Sequence, residues 1–434
     1  MARFVDSLGV FFLTSVAAVS AVSCGGDDDD GGGAGGLAAA GGAGPASGAA
    51  GSAGQEEVCP EDVEPATIAP DDPNLQYSGR FDFSDPSRPV ASASGVTVSA
   101  KFRGGAVKVM LEDQFLWNSS TNVNQGYYDV IVDDREPVKI SPVRGTTVYD
   151  VPVDLDCGEH TVTLMKRTEA SIGNFTFLGF EVGEILTPDP ATDRRILVIG
   201  DSITCGSGTD AQDGTPECTS DDSTGYWAQP YESAYLGWGS VLARAVDAER
   251  HIICAGGIGL VRNYTDRWDA RTMPDVYDLM FIESNQADTT PNWDPSLYVP
   301  DAILIALGTN DFSPGEGGES DPRESLPVAD FVAAYADFID RLKGYYPGVH
   351  VFLVSSPMLG DEWPTSADHF RTDQLDAHDQ LVAQYADADD VTVEAITVSK
   401  IYPSNGCGGH PDAEQQATMT TDEIEPAFRA AMGW

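Results

Sequence analysis

The stretch Ile196-Leu197-Val198-Ile199-Gly200-Asp201-Ser202-Ile203-Thr204 decides the fold of this chain. Four apolar residues, three of them β-branched, run into Gly-Asp-Ser, which is the pattern of a buried parallel strand that opens into a turn. Open α/β sheets bind ligands at the carboxyl ends of their strands. Ser202 is therefore a candidate functional residue, although a Gly-Asp-Ser turn without chemistry has the same local pattern.

Around this stretch, strand and helix patterns alternate through the second half of the chain. Apolar runs predict strands, and helical spacing predicts helices between them; the strands are 196–202, 251–255, 302–307, 349–354 and 391–396, and the helices are 233–248, 327–345, 366–386 and 412–432. Such alternation is typical of a parallel sheet with helices on both faces. The sequence predicts a three-layer α/β/α domain with a five-stranded parallel sheet over residues 192–434.

The preceding segment, residues 75–186, has an all-β pattern. Short runs alternate polar and apolar residues at period two, and turn residues separate them; the runs are 96–102, 107–111, 128–132, 148–151, 161–166 and 175–180. This is typical of an all-β sandwich resembling a jelly roll. The sandwich is either a carbohydrate-binding module or a packed structural partner of the second domain.

The N-terminus has the pattern of an export signal. Arg3 precedes an apolar segment at 8–22, and Ala21-Val22-Ser23-Cys24 resembles a bacterial lipobox. Residues 1–24 are therefore predicted to be a signal that leaves the protein lipid-anchored through Cys24 at a bacterial cell envelope, or secreted. Residues 25–74, which begin as a run of Gly, Ala, Ser and Asp, are predicted to be a disordered tether.

Charge and cysteine content limit the partners of the chain. Its formal net charge of −45 argues against nucleic acid and against an anionic membrane surface, which leaves the lipid anchor as the predicted membrane contact. Besides Cys24, six cysteines remain, an even number that suits an oxidising compartment. We expect a local disulfide between Cys205 and Cys218, which bracket a Gly- and Asp-rich loop. No zinc-type spacing of Cys and His is present, so neither a metal nor a cofactor is expected.

Three predicted strand ends and one late loop carry the candidate catalytic groups. Ser202 follows the first strand, Gly257 the second and Asn310 the third, while His410 precedes the last helix. Parallel strands end at one edge of the sheet, so these residues should converge. A serine nucleophile needs a base, which His410 would supply. The N–H groups of Ser202 and Gly257 and the amide of Asn310 would form the oxyanion hole.

These blocks resemble a known superfamily. Gly-Asp-Ser-Ile-Thr, a glycine block, Gly-Thr-Asn-Asp and a late His-Pro, in this order, are similar to SGNH (GDSL) hydrolases. With Ser78-Gly79-Arg80 and Lys166-Arg167-Thr168-Glu169 in the first domain, the plan resembles carbohydrate esterase family 2. The resemblance implies a serine esterase that removes O-acetyl groups from polysaccharides such as xylan or glucomannan without a cofactor. The alternatives are another short-chain SGNH esterase, acting on lipid, peptidoglycan or sialic acid acetates, and a catalytically idle carbohydrate-binding protein.

One position departs from the superfamily pattern. Many members place an aspartate two or three residues before the histidine, where this chain has Gly408 and Cys407. The chain resembles relatives that work with a Ser-His dyad, so we expect Nδ1–H of His410 to donate to a main-chain carbonyl in the 404–409 loop or at a neighbouring strand end. A neutral carbonyl stabilises the imidazolium less than a carboxylate does, so the pKa of His410 should not be strongly raised.

Two tryptophans are candidates for substrate contact. Trp227 and Trp363 fall in loops that the pattern places at the same edge of the sheet. Tryptophan presents a flat apolar face to sugar rings, and it also packs in protein cores and loops. The two side chains are therefore predicted either to contact the substrate or to pack within their loops.

Overall fold

The structure, a computed structural model, describes residues 65–114, 126–211, 229–265, 271–282, 290–318, 322–362 and 368–434. The predicted signal and residues 25–64 of the predicted tether lie outside these ranges. Within them, no helix combines the length and the apolar character that crossing a membrane requires.

The first domain is an antiparallel β-sheet, as the period-two runs predict. Its described residues form nine strands: β1 (Ala66–Ile68), β2 (Gln76–Ser78), β3 (Val90–Ala91), β4 (Thr97–Asp113), β5 (Tyr128–Val132), β6 (Val138–Ile140), β7 (Val148–Asp150), β8 (Glu159–Lys166) and β9 (Phe175–Leu186). They pair in the order β1–β9–β4–β8–β5–β6, with β2 and β7 added on β4 and β3 on β9. Alternate residues of the long strands are buried in a single apolar cluster, which explains the period-two pattern.

Strand β4 replaces two predicted strands. Its pairing with β9 continues through the expected break, with a register shift between Arg103 and Val107. Gly104 and Gly183 face each other there, and a Cβ on Gly183 would lie 2.2 Å from the carbonyl oxygen of Arg103. The part of β4 before the shift pairs with β8 and the part after it pairs with β7. The two parts of β4 therefore have different partners, β8 and β7, while β9 pairs with both parts.

Strand β1 lies inside the predicted tether. Residues 66–68 pair with residues 180–182 of β9, and Ile68 is buried in the apolar cluster. The sheet therefore begins before residue 75, and the prediction that the disordered tether extends to residue 74 is wrong for these residues. Three residues are too few to show an alternating pattern in the sequence.

The second domain contains the predicted five-stranded parallel sheet. Its strands are β10 (Arg195–Gly200), β11 (Glu249–Cys254), β12 (Ala302–Ala306), β13 (His350–Val354) and β14 (Thr392–Ile396), in the spatial order β11–β10–β12–β13–β14. Every neighbouring pair is parallel. The strand order reverses next to β10, and this is the position at which open α/β sheets form their ligand crevice.

Helices cover both faces of this sheet. They are α1 (Ser202–Cys205), α2 (Trp238–Ala245), α3 (Met273–Val276), α4 (Thr309–Phe312), α5 (Val328–Tyr345), α6 (Phe370–Tyr385), α7 (Ala413–Met419) and α8 (Glu425–Met432). Side chains of α5 and α6 pack with Leu197 and Ile199 on one face. Side chains of α2, α7 and α8 pack with Ile196 and Val198 on the other. The strand pattern is continuously apolar because both faces are buried.

Buried polar contacts join the two domains. The guanidinium of Arg80 donates to the carbonyls of Tyr277 and Leu279. The Gly79 N–H donates to Nε2 of His251 at 2.8 Å, and the His251 ring stacks on Tyr298 with 3.5 Å between the ring centroids. Buried polar groups of this kind are costly to expose unpaired. The sandwich is therefore docked on the α/β domain by specific buried hydrogen bonds and a ring contact.

Candidate active site

The carboxyl ends of three adjacent strands meet at one edge of the sheet. Ser202 begins α1 directly after β10, Gly257 follows β11, and Asn310 lies in α4 after β12. His410 comes from the loop between β14 and α7 and reaches the same edge. The structure thus brings together the four residues that sequence reasoning selected, while their catalytic roles stay a prediction.

Asp201 fixes the turn that presents the serine. It is the N-cap of α1, and its Oδ1 accepts a hydrogen bond from the Ile203 N–H at 3.0 Å. The side chain is buried, and burial raises the pKa of Asp201 to about 7. A carboxylate that caps a helix satisfies one of its free N–H groups. Asp201 therefore shapes the turn.

His410 contacts the serine with one ring nitrogen and a carbonyl with the other. Nε2 lies 2.8 Å from Oγ of Ser202, and Nδ1 lies 3.0 Å from the main-chain oxygen of Cys407. A carbonyl only accepts, so Nδ1 carries the hydrogen and Nε2 of the neutral ring is free to accept the serine proton. The prediction of a main-chain partner within the 404–409 loop is confirmed.

The environment of His410 lowers its pKa. Burial disfavours the charged ring, while the carbonyls of Cys407 and Gly408 and the negative charge of Glu169 oppose this effect without cancelling it. This direction agrees with the prediction that the pKa of His410 is not strongly raised. The imidazole is therefore neutral, and able to act as a base, at pH values somewhat below those of an exposed histidine.

The loop that carries this carbonyl is itself held in place. The Cys407 N–H donates to the Gly208 carbonyl at 3.1 Å, and the Gly406 N–H donates to the His410 carbonyl at 2.9 Å. A Cβ on Gly208 would lie 2.6 Å from the oxygen of Cys407, so only glycine permits this approach. Main-chain bonds thus replace the carboxylate as the support of the histidine.

The predicted oxyanion donors lie in short segments after two strands, Gly257 in the turn after β11 and Asn310 in helix α4 after β12. Gly257 has φ +75°, a conformation that favours glycine. The side-chain amide of Asn310 donates one hydrogen to the Ile258 carbonyl at 2.7 Å, which orients the amide and leaves its second hydrogen for another acceptor. Both residues line the cleft with Ser202 and His410.

Asp311 holds the turn that contains Gly257. Its buried carboxylate accepts hydrogen bonds from the N–H groups of Leu260, Val261 and Arg262 at 2.6–3.1 Å. Sequence reasoning missed this function of Asp311. The position of Asp311 next to Asn310 was the one available sign of a role at the site. Its hydrogen bonds to a distant loop leave no pattern in the nearby sequence.

The cleft has a volume of about 530 Å³, and both domains line it. Glu169 and Ile172 of the β domain line it together with Ser202 and His410. An apolar wall lies in the α/β domain, formed by Pro314, Met358, Leu359 and Phe370. Sequence reasoning used Glu169 only as a mark of resemblance and did not expect its side chain at the site.

The disulfide at the site differs from the predicted one. Cys205 is bonded to Cys254, with 5.5 Å between their Cα atoms, so the expected pairing of Cys205 with Cys218 is wrong. Cys254 ends β11 and pairs in register with Gly200 of β10, which places it beside α1. Sheet register therefore decided the pairing, whereas closeness in sequence did not. Cys218 itself lies outside the described residues.

The remaining predictions for the site concern tryptophans and metals. Trp227 and Trp363 lie outside the described residues, so their proposed contact with substrate stays a prediction. In the part of the chain that the structure describes, no group of three His, Cys, Asp or Glu side chains is arranged to hold a metal ion.

Comparison with known proteins gives the family. Residues 77–190 match the carbohydrate esterase 2 N-terminal family, and residues 198–418 match the GDSL-like lipase/acylhydrolase family. An acetylxylan esterase / glucomannan deacetylase of Cellvibrio japonicus (strain Ueda107) is 29% identical over 372 residues, which cover 85% of this chain and 92% of that protein.

Solved structures agree with the sequence relatives. A carbohydrate esterase family 2 enzyme with a carbohydrate-binding domain from Corynascus thermopiles (Myceliophthora fergusii) superimposes with a TM-score of 0.69 at 30% identity, covering 83% of this chain and 100% of that one. A family two carbohydrate esterase from Clostridium thermocellum, solved in complex with cellohexaose, gives a TM-score of 0.65 at 28% identity, covering 83% and 99%.

Proposed function

This chain belongs to carbohydrate esterase family 2 and is a carboxylic ester hydrolase, and on this premise we propose that it removes O-acetyl groups from polysaccharides of the acetylxylan or glucomannan type. The observation that carries the mechanism is the contact of 2.8 Å between Nε2 of His410 and Oγ of Ser202. Nucleophile and base within hydrogen-bond reach are the requirement for covalent acyl transfer.

The proposed reaction has two steps. His410 takes the proton of Ser202 as Oγ attacks the acetyl carbonyl, and the N–H groups of Ser202 and Gly257 with the amide of Asn310 stabilise the oxyanion. His410 then protonates the sugar oxygen as its bond to the acetyl carbon breaks, which releases the sugar with a free hydroxyl. A water molecule, deprotonated by His410, attacks the acyl-enzyme, and His410 returns this proton to Oγ of Ser202 as acetate leaves. Because each proton passes through Nε2, the Cys407 carbonyl only has to hold the tautomer.

The substrate class rests on the relatives and on charge. The Cellvibrio japonicus relative is named acetylxylan esterase / glucomannan deacetylase, and a family two carbohydrate esterase from Clostridium thermocellum was solved with cellohexaose. Acetylated polysaccharides or oligosaccharides are therefore the proposed partners. Glu169 and Glu232 line the cleft, and the chain carries a net charge of −45. Repulsion should therefore favour neutral over anionic polysaccharides.

We also propose that the protein acts outside the cytoplasm. The signal pattern ending at Cys24 supports export with a lipid anchor or secretion. The disulfide between Cys205 and Cys254 supports an oxidising compartment. Labelling with radioactive palmitate, compared between the natural chain and Cys24→Ala, tests the anchor.

The test of function is acetate release by the purified chain from acetylated xylan, acetylated glucomannan and acetylated pectin. We expect release from the first two, loss of release in Ser202→Ala, and faster hydrolysis of 4-nitrophenyl acetate than of esters with longer acyl chains. A preference for long acyl chains would favour another SGNH esterase. Binding of the polysaccharide without acetate release would favour the idle carbohydrate-binding protein.

A further inference from the structure

Glu169 belongs to the β domain, but its side chain enters the cleft of the α/β domain. Its Oε2 accepts a hydrogen bond from the Gly256 N–H, and its Oε1 accepts one from the Ser171 hydroxyl. The residue is 5% exposed. A Cβ on Gly256 would lie 2.6 Å from Oε2, so the carboxylate and the glycine are fitted to each other.

The main chain of Glu169 is fixed on both sides. The ammonium of buried Lys166 donates to the Glu169 carbonyl at 2.8 Å, and the Glu169 N–H donates to Oε2 of Glu232 at 2.9 Å. Arg167, also buried, bonds Asp129 of its own domain at 2.6 Å and the Glu232 carbonyl of the other at 3.0 Å. The carboxylate is therefore held on a rigid support that spans the domain boundary.

We propose that Glu169 is a positioning residue for the hydrolysis, whose carboxylate holds the Gly256–Gly257 turn so that the Gly257 N–H is directed at the oxyanion. This inference rests on the proposed function. The donor lies one peptide beyond the N–H that Glu169 binds, and Asp311 holds the far end of the same turn at residues 260–262. Oxyanion donors act through preorganised geometry. The carboxylates at the two ends of the turn therefore affect the rate by holding the Gly257 N–H in place.

The charge of Glu169 has a second effect on the site. It opposes the lowering of the His410 pKa by burial, because a negative charge stabilises the imidazolium. The other titratable groups that line the cleft are Glu232 and Tyr264, and Asp201 adjoins the serine. Glu169 thus supplies, from the other domain and without touching Nδ1, part of the stabilisation that a triad aspartate would give.

The test uses two variants of the full chain, with 4-nitrophenyl acetate and acetylated xylan as substrates. Glu169→Ala removes both the hydrogen bond and the charge, and we expect kcat to fall by about ten- to a hundredfold with KM changed less than about threefold. Glu169→Gln keeps an oxygen for the Gly256 N–H, so kcat at pH 8 should stay within about fivefold of the natural value. The acidic limb of its pH–rate profile should move to lower pH, because loss of the negative charge lowers the pKa of His410 further.

Lys139→Ala is the matched control. Lys139 also joins the domains, through Asp210 at 3.1 Å and the Pro230 carbonyl at 3.0 Å, without contacting the glycine turn, and its loss should leave kcat and the pH profile unchanged. A folded Glu169→Ala chain with natural kcat, or with a loss confined to KM, would overturn the proposal. If that variant does not fold, the proposal is overturned by a Glu169→Gln chain whose acidic limb does not move, or whose kcat at pH 8 falls by much more than about fivefold. Failure of the proposed function is distinguished because the natural chain would then release no acetate.

Discussion

The two domains contribute to one cleft in different ways. The α/β domain provides Ser202, Gly257 and Asn310 from consecutive strand ends, so the topology of the sheet alone brings them together. The β domain provides Glu169 from the segment after β8, through a contact that exists only because the domains are docked. Groups proposed to react are thus placed by the fold of one domain, and a group proposed to hold them is placed by an interface.

This difference predicts two kinds of effect when a residue of the cleft is replaced. Removing a reacting group should abolish a chemical step, whereas removing a holding group should lower the rate while leaving the chemistry possible. The comparison therefore predicts a ranked series of effects, with the α/β strand ends at the top.

The largest effect is expected for Ser202→Ala. Without a nucleophile no acyl-enzyme forms, so kcat should fall by about 10⁴ or more while the thermal midpoint stays unchanged. Acetate release and a melting curve measure both. Ser207→Ala, which removes another hydroxyl that lines the cleft, is the control and should keep kcat within about tenfold. Near-natural activity of a folded Ser202→Ala chain would refute the assignment.

Asn310→Ala should have the next largest effect. Loss of one oxyanion donor typically lowers kcat by about 10²–10³, and KM should move little because the bond strengthens in the transition state. Steady-state kinetics on 4-nitrophenyl acetate decide the matter. A change in KM alone would indicate that Asn310 binds substrate, and it would contradict the predicted order of effects on kcat.

Asp311→Asn tests the support inside the α/β domain. The amide keeps one acceptor oxygen but turns an NH₂ group toward N–H donors, leaving at least one of them unsatisfied at a cost of about 1–3 kcal/mol. We expect a lower thermal midpoint together with a roughly tenfold loss of kcat. Asp330→Asn, at an exposed position in the first turn of α5, should change neither.

One histidine in each domain should make stability depend on acid, and the two should act in opposite directions. His378 of α6 is buried, neither ring nitrogen has a partner among the described residues, and burial lowers its pKa to about 4. The unfolded chain binds a proton near pH 6.5, so stability falls as the pH drops from 6.5 toward 4, by about 2 kcal/mol at pH 5. Chemical denaturation of His378→Leu should show a weaker loss of stability with acid.

His160 of the β domain shows the reverse behaviour. Its Nδ1 lies 2.8 Å from Oδ2 of Asp133, and this partner raises the pKa of His160. Its stabilising contribution is complete below the unfolded value of about 6.5 and disappears as the pH rises through the folded value. Replacing His160 with Gln should therefore cost stability at pH 5 and little at pH 9. An equal loss of stability at pH 5 and at pH 9 would contradict a raised pKa of His160 in the folded chain.

The smallest effect concerns the pH profile of the natural enzyme. Because burial lowers the pKa of His410, the acidic limb of kcat/KM should lie below 6.5. A limb well above 6.5 would indicate a carboxylate partner for Nδ1, against the geometry of the Cys407 carbonyl.

The features that the sequence predicted correctly are those that leave a pattern in nearby residues, whereas contacts between distant segments leave none. The five strands, the two-domain plan and the convergence of Ser202, Gly257, Asn310 and His410 follow from apolar runs and from the rule that parallel strands end together. The lack of a carboxylate at 407 and 408, together with the resemblance to relatives that use a Ser-His dyad, also predicted a main-chain partner for His410.

The missed features depend on contacts between distant segments. Cys205 pairs with Cys254 because β10 and β11 are in register, and Glu169 meets Gly256 only after the domains dock. Strand β1 forms because β9 offers it a free edge, although three residues carry no periodic signal. None of these partners is specified by the residues nearest in sequence.

The disulfide between Cys205 and Cys254 has a consequence for survival among proteases. It spans 49 positions and closes a covalent ring that includes the chain between the serine helix and the glycine turn. A single cut anywhere from residue 206 to 253 leaves both strand ends covalently attached to each other. A chain that is nicked there keeps the segment of Ser202 tied to the segment of Gly257, so cleavage of the polypeptide does not by itself separate the two sides of the cleft.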